Sequence, residues 1–335
     1  QIFSTMSMRG HAMLVLCAAL SCGAQSDGAE RLRVEIDAHG GGDATMMQTD
    51  DMRAREAEAR AGLARDLSDA LVDIMAVLLH GSDSAKNAAL ERLGSMAIST
   101  GEAGREQARM FRSAVVAGGA VPELVSLLTS PEYERQFLAA KAIHALALDD
   151  PTTDLDNFHS LEICQGGAIS PLVELLASEN EAVQGAATGA LSVLAENPTC
   201  QQMIVAAGAV EPLMRMTTFA NDWQKLGALG ALDVLEINNP TARTQLDALN
   251  AQTVLKGLTS MGSALLREQA GGFQQRLGQP APATQMSADE QVQSARQTRM
   301  KYDGVRHKAM RLMQGWERGN GGPRPRRGGG GGGGG

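Results

Sequence analysis

Four aspartates form the densest group of side chains able to do chemistry: Asp149, Asp150, Asp154 and Asp156. Carboxylate oxygens are ligands that hard cations prefer, so the group raises the question of a cation site. Its spacing is not that of an EF-hand loop, and the sequence favours a solvated insertion. The chain also has no glycine-rich phosphate loop, no nucleophile motif and no set of metal ligands. We therefore predict no catalytic residue, no cofactor and no metal, and a protein that is not an enzyme.

Two cysteines, Cys164 and Cys200, fall in predicted helices of the central region. They show neither CxxC pairing nor metal-ligand spacing, and two cysteines do not make a disulfide framework. Buried free thiols are the interpretation that the sequence favours, since cysteine packs as a small apolar residue. A disulfide between them stays open if the chain is secreted.

The composition favours helices packed closely on one another. Of 335 residues 43% are hydrophobic but only 3% are aromatic, so Ala, Leu, Val and Met must build the core. A β-sandwich would favour β-branched and aromatic residues. The net charge of −8 is uneven, because residues 278–335 hold ten Lys/Arg against four Asp/Glu. This tail has a net charge of +6 and the rest of the chain −14, so the two are electrostatically complementary.

A repeated pattern, Gly-Ala-(Val/Ile)-x-x-Leu, begins at Gly119, Gly167 and Gly208, which lie 48 and then 41 residues apart. Glycine tolerates the positive φ of a sharp turn, so each Gly-Ala predicts the end of one helix and the start of another. A further helix follows each copy with the pattern Ala-x-x-Ala-(Leu/Ile)-x-x-Leu. These further helices contain Ala139, Ala187 and Ala228.

These patterns resemble the armadillo repeat family over roughly Leu67–Gln275. Weaker segments flank the three clear repeats: a degenerate first repeat at 71–79 and 85–93, and a closing cap at 254–258 and 264–273. The resemblance implies an all-α protein, a right-handed α-solenoid of about four to five armadillo-type repeats with flexible N- and C-terminal tails. One repeat cannot bury its apolar face alone, so the repeats must stack.

In this family the third helix of each repeat lines a concave groove that binds extended partners. Importin-alpha-like members have a Trp and an Asn four residues apart on these helices, and no matching position here has that pair. The resemblance implies a binding scaffold for an extended or helical segment of a protein or peptide of unknown identity. An alternative is that the small residues only allow tight packing between repeats. The predicted groove residues are Arg92, Lys141, His144, Ala145, Thr188, Gly189, Ser192, Val193, Gly230, Asp233 and Val234.

Beyond the repeats (63–277) and a linker (278–286), residues 287–317 predict a basic amphipathic helix that opens with the capping box Ser287/Glu290. This helix could bind a membrane surface, a calmodulin-like partner or the acidic body itself, or it could remain in solvent, and the sequence leaves these alternatives open. With the Arg/Gly-rich tail 318–335 it supports the alternative of a membrane-surface- or RNA-associated adaptor. The predicted apolar face holds Val292, Ala295, Tyr302, Val305, Ala309, Met313 and Trp316. Opposite it the sequence places Arg299, Arg306, Lys308 and Arg311.

The N-terminus resembles a secretory signal peptide at 1–24, with a basic start, the apolar run Ala12–Leu20 and small residues at 21–24. A buried or disordered apolar terminus is the alternative. Residues 25–62 are acidic and poor in large apolar side chains, which predicts disorder. The expected location is the secretory pathway or the extracellular space if the signal is real, and otherwise the cytoplasm.

Overall fold

The computed structural model describes residues 58, 62, 65–98, 102–148, 158–279 and 286–302. In these ranges the regular secondary structure is entirely helical, which confirms the predicted all-α class. The helices are α1 (65–80), α2 (Asp83–Ala97), α3 (Glu102–Ala117), α4 (Val121–Leu128), α5 (Tyr133–Ala147), α6 (Phe158–Gln165), α7 (Ile169–Leu175), α8 (Glu181–Leu194), α9 (Pro198–Ala206), α10 (Val210–Phe219), α11 (Asp222–Glu236), α12 (Pro240–Ala248), α13 (Ala251–Met261), α14 (Ala264–Leu277) and α15 (288–302).

The helices form a stack of repeats, and α15 follows it. Helices α1 and α2 make an incomplete first repeat, and α3–α5, α6–α8, α9–α11 and α12–α14 make four complete ones. The stack therefore agrees with the predicted four to five repeats. The segments predicted as a closing cap lie in α13 and α14, and α12 extends them to a full repeat. Helix α15, which begins at residue 288, lies within the predicted basic helix, while most of the predicted linker lies outside the described residues.

Each complete repeat turns between its first and second helix at one residue with positive φ. Gly119, Gly167 and Gly208 have φ of 80°, 89° and 83°. The amide that follows each glycine donates back across the turn, as Ala209 N–H does to Ile204 O at 3.3 Å. This is the Schellman arrangement, in which a left-handed residue satisfies the last carbonyls of a helix. In the final repeat Asn250 takes the same role with φ of 54°.

The third helices pack side by side along the whole stack, α2 on α5, α5 on α8, α8 on α11 and α11 on α14. Ala139, Ala187 and Ala228 at the pattern positions are fully buried between them. Alanine brings the helices close because it adds little bulk at the contact. The row of third helices is therefore one continuous surface, which we call the groove.

Polar contacts between neighbouring repeats fix the register of the third helices at their N-terminal ends. The Asn87 amide donates to Glu134 Oε2 at 3.1 Å, and the Asn221 amide donates to Glu181 Oε2 at 2.9 Å. Asn221 also accepts from Gln224 N–H at 3.0 Å as the N-cap of α11. Each contact joins one repeat to the next, so it holds each third helix in a fixed register against its neighbour.

Cys164 of α6 and Cys200 of α9 form a disulfide with a Cα–Cα distance of 5.9 Å. The prediction of free thiols is therefore wrong, because first helices of adjacent repeats stack closely enough to bring the two sulfur atoms together.

The four aspartates of the insertion, Asp149, Asp150, Asp154 and Asp156, lie outside the described residues. Within the described part no single helix has the length and apolarity to cross a bilayer; only the pair 107–117 and 121–128, bent by 83°, passes that test together.

Candidate binding groove

The groove has two parts that differ in what covers them. The open half consists of α2, α5 and the face of α8 toward α5. The occupied half consists of the C-terminal end of α8 together with α11 and α14, and there α15 lies against the stack. The described part of the predicted basic helix is thus docked on the body, one of the alternatives left open by the sequence.

The first residues of α15 are fixed by their own hydrogen bonds and by a buried glutamine. Ser287 N–H donates to Glu290 Oε2 at 2.9 Å, and Glu290 N–H donates to Ser287 Oγ at 3.3 Å, which is the predicted capping box. These bonds lower the pKa of the Glu290 carboxyl. One turn later the Gln291 amide donates to Gln201 Oε1 at 2.8 Å and accepts from Asn238 Nδ2 at 3.1 Å.

Gln201 itself is almost completely buried and is held by the backbone around the end of α11. Its amide nitrogen donates to Val234 O at 2.8 Å and to Ile237 O at 3.0 Å. Both amide hydrogens are therefore in use, so only Oε1 is left to face α15. A buried polar group needs its partners, because an unsatisfied one costs about 1–3 kcal/mol.

The middle of α15 forms an ion-pair group with Glu196, which lies between α8 and α9. Arg296 Nε is 3.3 Å from Glu196 Oε2, and Arg299 Nε contacts Glu196 Oε1. The Glu196 side chain is only 2% exposed. Without the two guanidinium groups this carboxylate would be an uncompensated buried charge, which strongly destabilises a fold.

The last described residue of α15, Tyr302, packs on Gly230 of α11. A Cβ added to Gly230 would lie 2.9 Å from both Cβ and Cγ of Tyr302. Beside this contact, Asp233 of α11 accepts from Arg276 Nε of α14 at 3.1 Å. Burial raises the pKa of Asp233, and Arg276 opposes that rise. Burial, and next the charge of Asp233, raise the pKa of Tyr302 well above its usual range, so the ring is held as a neutral phenol.

The face that α15 turns inward differs from the predicted one. Ala295 and Tyr302 are buried as expected, while Arg299 was placed opposite them and instead points at Glu196. The prediction failed because it assumed that charged side chains face solvent, and the buried carboxylate of Glu196 reverses that preference. The predicted positions from Val305 to Trp316 lie outside the described residues.

The open half presents basic and small side chains. Arg92 and Lys141 are exposed, and Lys141 Nζ lies 5.6 Å from the centroid of the Phe137 ring. His144 is half-buried against α8, where a Cβ added to Gly189 would lie 3.6 Å from its Cδ2. The open half thus exposes two cationic side chains and has a glycine, Gly189, on its floor.

The remaining predicted groove residues are buried in the structure. Val193 and Val234 pack in the core, and Thr188 and Ser192 donate to backbone oxygens of Gln184 and Thr188 in their own helix at 2.8 Å each. Such side chains support the groove from below and do not present atoms to a partner. Gly230 and Asp233 are also buried, in part because α15 covers them. Ala145 is likewise in the core.

Prediction from sequence missed the polar residues that hold α15, namely Gln201, Glu196 and Arg276. None of them lies in the repeat pattern, and each acquires its role only when α8, α11 and α14 are adjacent. The sequence does indicate where two of the surrounding first helices begin. The indication is an Asn-Pro pair that occurs twice, 42 residues apart, at Asn197-Pro198 and Asn239-Pro240. Both asparagines cap first helices that carry Pro in the first turn.

Other parts of the described chain offer less. A shallow hollow of about 420 Å³ lies between the second and third repeats, lined by residues that include Leu128, Tyr133, Pro171 and Glu174. It holds no converging set of titratable groups. Across the described ranges no three His, Cys, Asp or Glu side chains are placed to hold a metal ion. The groove is thus the candidate site.

Comparison with known proteins identifies the fold. The sequence profile of the Armadillo/beta-catenin-like repeat matches residues 160–196, most of the third repeat. A designed armadillo repeat protein in complex with the peptide (KR)4 superposes with a TM-score of 0.54 at 21% identity, over 66% of this chain and 94% of its own. The chain has the fold of armadillo repeat proteins.

Two engineered proteins have the same fold as this chain. One is 23% identical with a TM-score of 0.55 over 65% of this chain, which spans 50% of the length of that protein. The other is 21% identical with a TM-score of 0.53, covering 70% of this chain and 96% of its own. No curated protein matches the sequence. These likenesses establish the fold, within which the third helices form the groove described above.

Proposed function

We propose that this chain is a non-catalytic scaffold whose groove binds a helical or extended segment of a partner protein. The armadillo fold is generally a non-enzymatic interaction scaffold. The observation that supports the finer proposal is α15, a polypeptide segment already seated on the stack. Tyr302 packs on the third helix α11, while Arg299 contacts the stack just beyond the end of α8 and Gln291 contacts the first helix α9. A surface that holds one helix through side-chain contacts is suited to holding another segment.

The open half is the part that we propose for an external partner. Arg92 and Lys141 are exposed there, and Gly189 leaves room for the partner's backbone to approach α8. The designed armadillo protein that binds (KR)4 supports peptide binding by this fold in general. The exposed Arg92 and Lys141 of the open half suit a different ligand, a segment with apolar residues and a few carboxylates.

A peptide-display library panned against the full-length chain tests this proposal, because such a selection requires no candidate partner. Peptides selected on the native chain are then measured against Gly189→Leu and Lys141→Glu. We expect each substitution to weaken binding by at least about tenfold, because one blocks the floor and the other reverses the charge.

Gly257→Leu is the matched control, since Gly257 lies on the second helix α13 and a Cβ there meets nothing within 4 Å. It is expected to leave peptide affinity unchanged. If the groove variants bind the selected peptides as well as the control does, the open half is the wrong surface.

We also propose that the chain matures in the secretory pathway. The signal-like residues 1–24 motivate this, and the disulfide between Cys164 and Cys200 supports it, because disulfides persist mainly in oxidising compartments. Mass spectrometry of the mature protein is expected to find an N-terminus at residue 24 or 25. A mature chain that retains residues 12–20 would refute the proposal.

A further inference from the structure

The occupied half of the groove has the chemistry of a selective receptor, and this step rests on the proposed scaffold function. We propose that the occupied half binds, in trans, a basic partner helix that presents a carboxamide, two guanidinium groups and an aromatic ring at the spacing of Gln291, Arg296, Arg299 and Tyr302. Helix α15 fills this site in cis and competes with that partner.

The site recognises a carboxamide through two neighbouring groups of opposite hydrogen-bonding character. Gln201 offers only an acceptor, because its amide hydrogens are held by Val234 O and Ile237 O. Asn238 offers a donor 3.1 Å from Gln291 Oε1. An adjacent acceptor and donor are satisfied together by the side chain of Gln or Asn, which has both an amide NH₂ and a carbonyl oxygen. An apolar side chain would lose both hydrogen bonds and leave Gln201 Oε1 with only its bond from Asn239 Nδ2 at 3.3 Å.

The site recognises positive charge through Glu196. This carboxylate is buried and contacts both Arg296 and Arg299. A ligand without a cation here would leave a buried charge without a counter-ion, so neutral and acidic helices are rejected. The two arginines are three residues apart, which places them on one side of an α-helix.

The site recognises an aromatic ring because Gly230 has no side chain to block it. Gly230 accepts the Tyr302 side chain at a distance that a Cβ would prevent. The Tyr302 hydroxyl is buried beside the Asp233–Arg276 pair, so the site takes an aromatic ring whose polar end faces that pair.

These three contacts fit one rigid helix. Eleven residues separate Gln291 from Tyr302, so the contacts extend over about 16 Å of helix axis. In cis, α15 is tethered close to α14 and acts as a competitor at high effective concentration. A partner helix in trans therefore binds weakly to the native chain and strongly once α15 is released.

The test uses the full-length chain and a fluorescent synthetic peptide of residues 286–302 with the natural sequence. Arg296→Glu with Arg299→Glu in the chain weakens its own α15 and leaves the receptor surface intact. In fluorescence anisotropy the peptide is expected to bind this variant at least about tenfold more tightly than the native chain. Ala295→Arg, which places a large side chain at a fully buried position of α15, is a second releasing variant with the same expected result.

The matched control peptide has Gln291→Leu, which keeps the size of the side chain and removes both hydrogen-bonding groups. It is expected to lose at least about tenfold in affinity, since the hydrogen bonds to Gln201 and from Asn238 are both lost. Equal affinity of the two peptides, or equal weak binding to native and released chains, overturns the proposal. If neither releasing variant folds by circular dichroism, α15 is an integral part of the fold and the proposal is equally overturned. None of these results affects peptides selected on the open half, so the scaffold proposal fails or stands separately.

Discussion

Asn250 occupies the same turn position as Gly208 does one repeat earlier, and both have left-handed backbones with φ of 54° and 83°. The two residues are 42 positions apart, and each lies shortly before the second helix of its repeat. Asparagine is the residue other than glycine that visits this conformation most readily. The equivalence extends the repeat to the end of the stack, where the Gly-Ala pattern is no longer visible.

Gly208→Ala is expected to destabilise the stack by about 1–2 kcal/mol, because only the left-handed backbone disfavours a Cβ there. No atom lies within 4 Å of the added Cβ, so crowding does not contribute. Gly257→Ala is the control, since Gly257 is inside α13 with equally open surroundings, and the change is expected to stabilise by about 0.5–1 kcal/mol. Urea unfolding of both variants measures whether their free energies of unfolding change in opposite directions. A loss of stability in both would contradict the assignment of the turn.

Reduction of the Cys164–Cys200 disulfide is expected to lower the free energy of unfolding by about 4 kcal/mol. The bridge closes a loop with a sequence separation of 36, and a loop of that size restricts the unfolded chain by roughly this amount. Thermal unfolding with and without a reductant measures the effect. The double variant Cys164→Ala, Cys200→Ala is the control, and it should show no further response to the reductant.

The stability of the fold is expected to fall as the pH drops from 7 to 5 because of His159. Burial, followed by the charges of Arg112 and Arg109, lowers the pKa of His159 to about 4, while its ordinary value is 6.5. Between these two values the unfolded chain binds a proton that the folded chain does not. Stability is therefore complete above pH 6.5 and is lost toward pH 4, by about 2 kcal/mol at pH 5.

Chemical unfolding at pH 7 and pH 5 measures this loss, and His159→Gln isolates it. Glutamine does not titrate and is able to keep a hydrogen bond to Ser113, whose hydroxyl lies 2.9 Å from His159 Nε2. The variant is expected to lose less stability than the native chain over the same interval. An identical loss in both proteins would assign the pH response to other groups.

Gly230→Ala is expected to displace Tyr302 from α11, because the added Cβ would lie 2.9 Å from two atoms of that side chain. Gly189→Ala at the matched position of α8 meets its nearest atom at 3.6 Å, an ordinary contact, and should change nothing in α15. Fluorine NMR of protein labelled with fluorotyrosine reports the environment of Tyr302, with Tyr133→Phe in both variants to remove the other tyrosine. Identical Tyr302 resonances in the two variants would contradict the packing of Tyr302 on Gly230.

The stack was predictable because its determinants are local and repeated. Gly119, Gly167 and Gly208 predict the turns, and the alanines of the third helices predict close packing. The last repeat was only partly recognised, because Asn250 replaces the glycine that made the pattern visible. Asn180 and Asn221, 41 residues apart, also mark the starts of third helices, since their side chains cap α8 and α11.

The occupied half was not predictable in detail, because its contacts join residues far apart in the sequence. Gln201 and Gln291 are 90 residues apart, and Glu196 and Arg299 are 103 apart. Charge complementarity between tail and body predicted that the basic helix was able to dock. It did not predict which arginine turns inward, since that depends on the burial of one carboxylate.

Hydrogen exchange of the α15 backbone amides in the full-length chain tests the central claim, that the groove holds a helix. An isolated 15-residue helix is marginal in water, so slow exchange at 291–302 would have to come from packing on the stack. We predict protection of at least about 30-fold there, lost in Arg296→Glu with Arg299→Glu. Exchange at the rate of an unfolded peptide throughout 288–302 in the native chain would contradict the account.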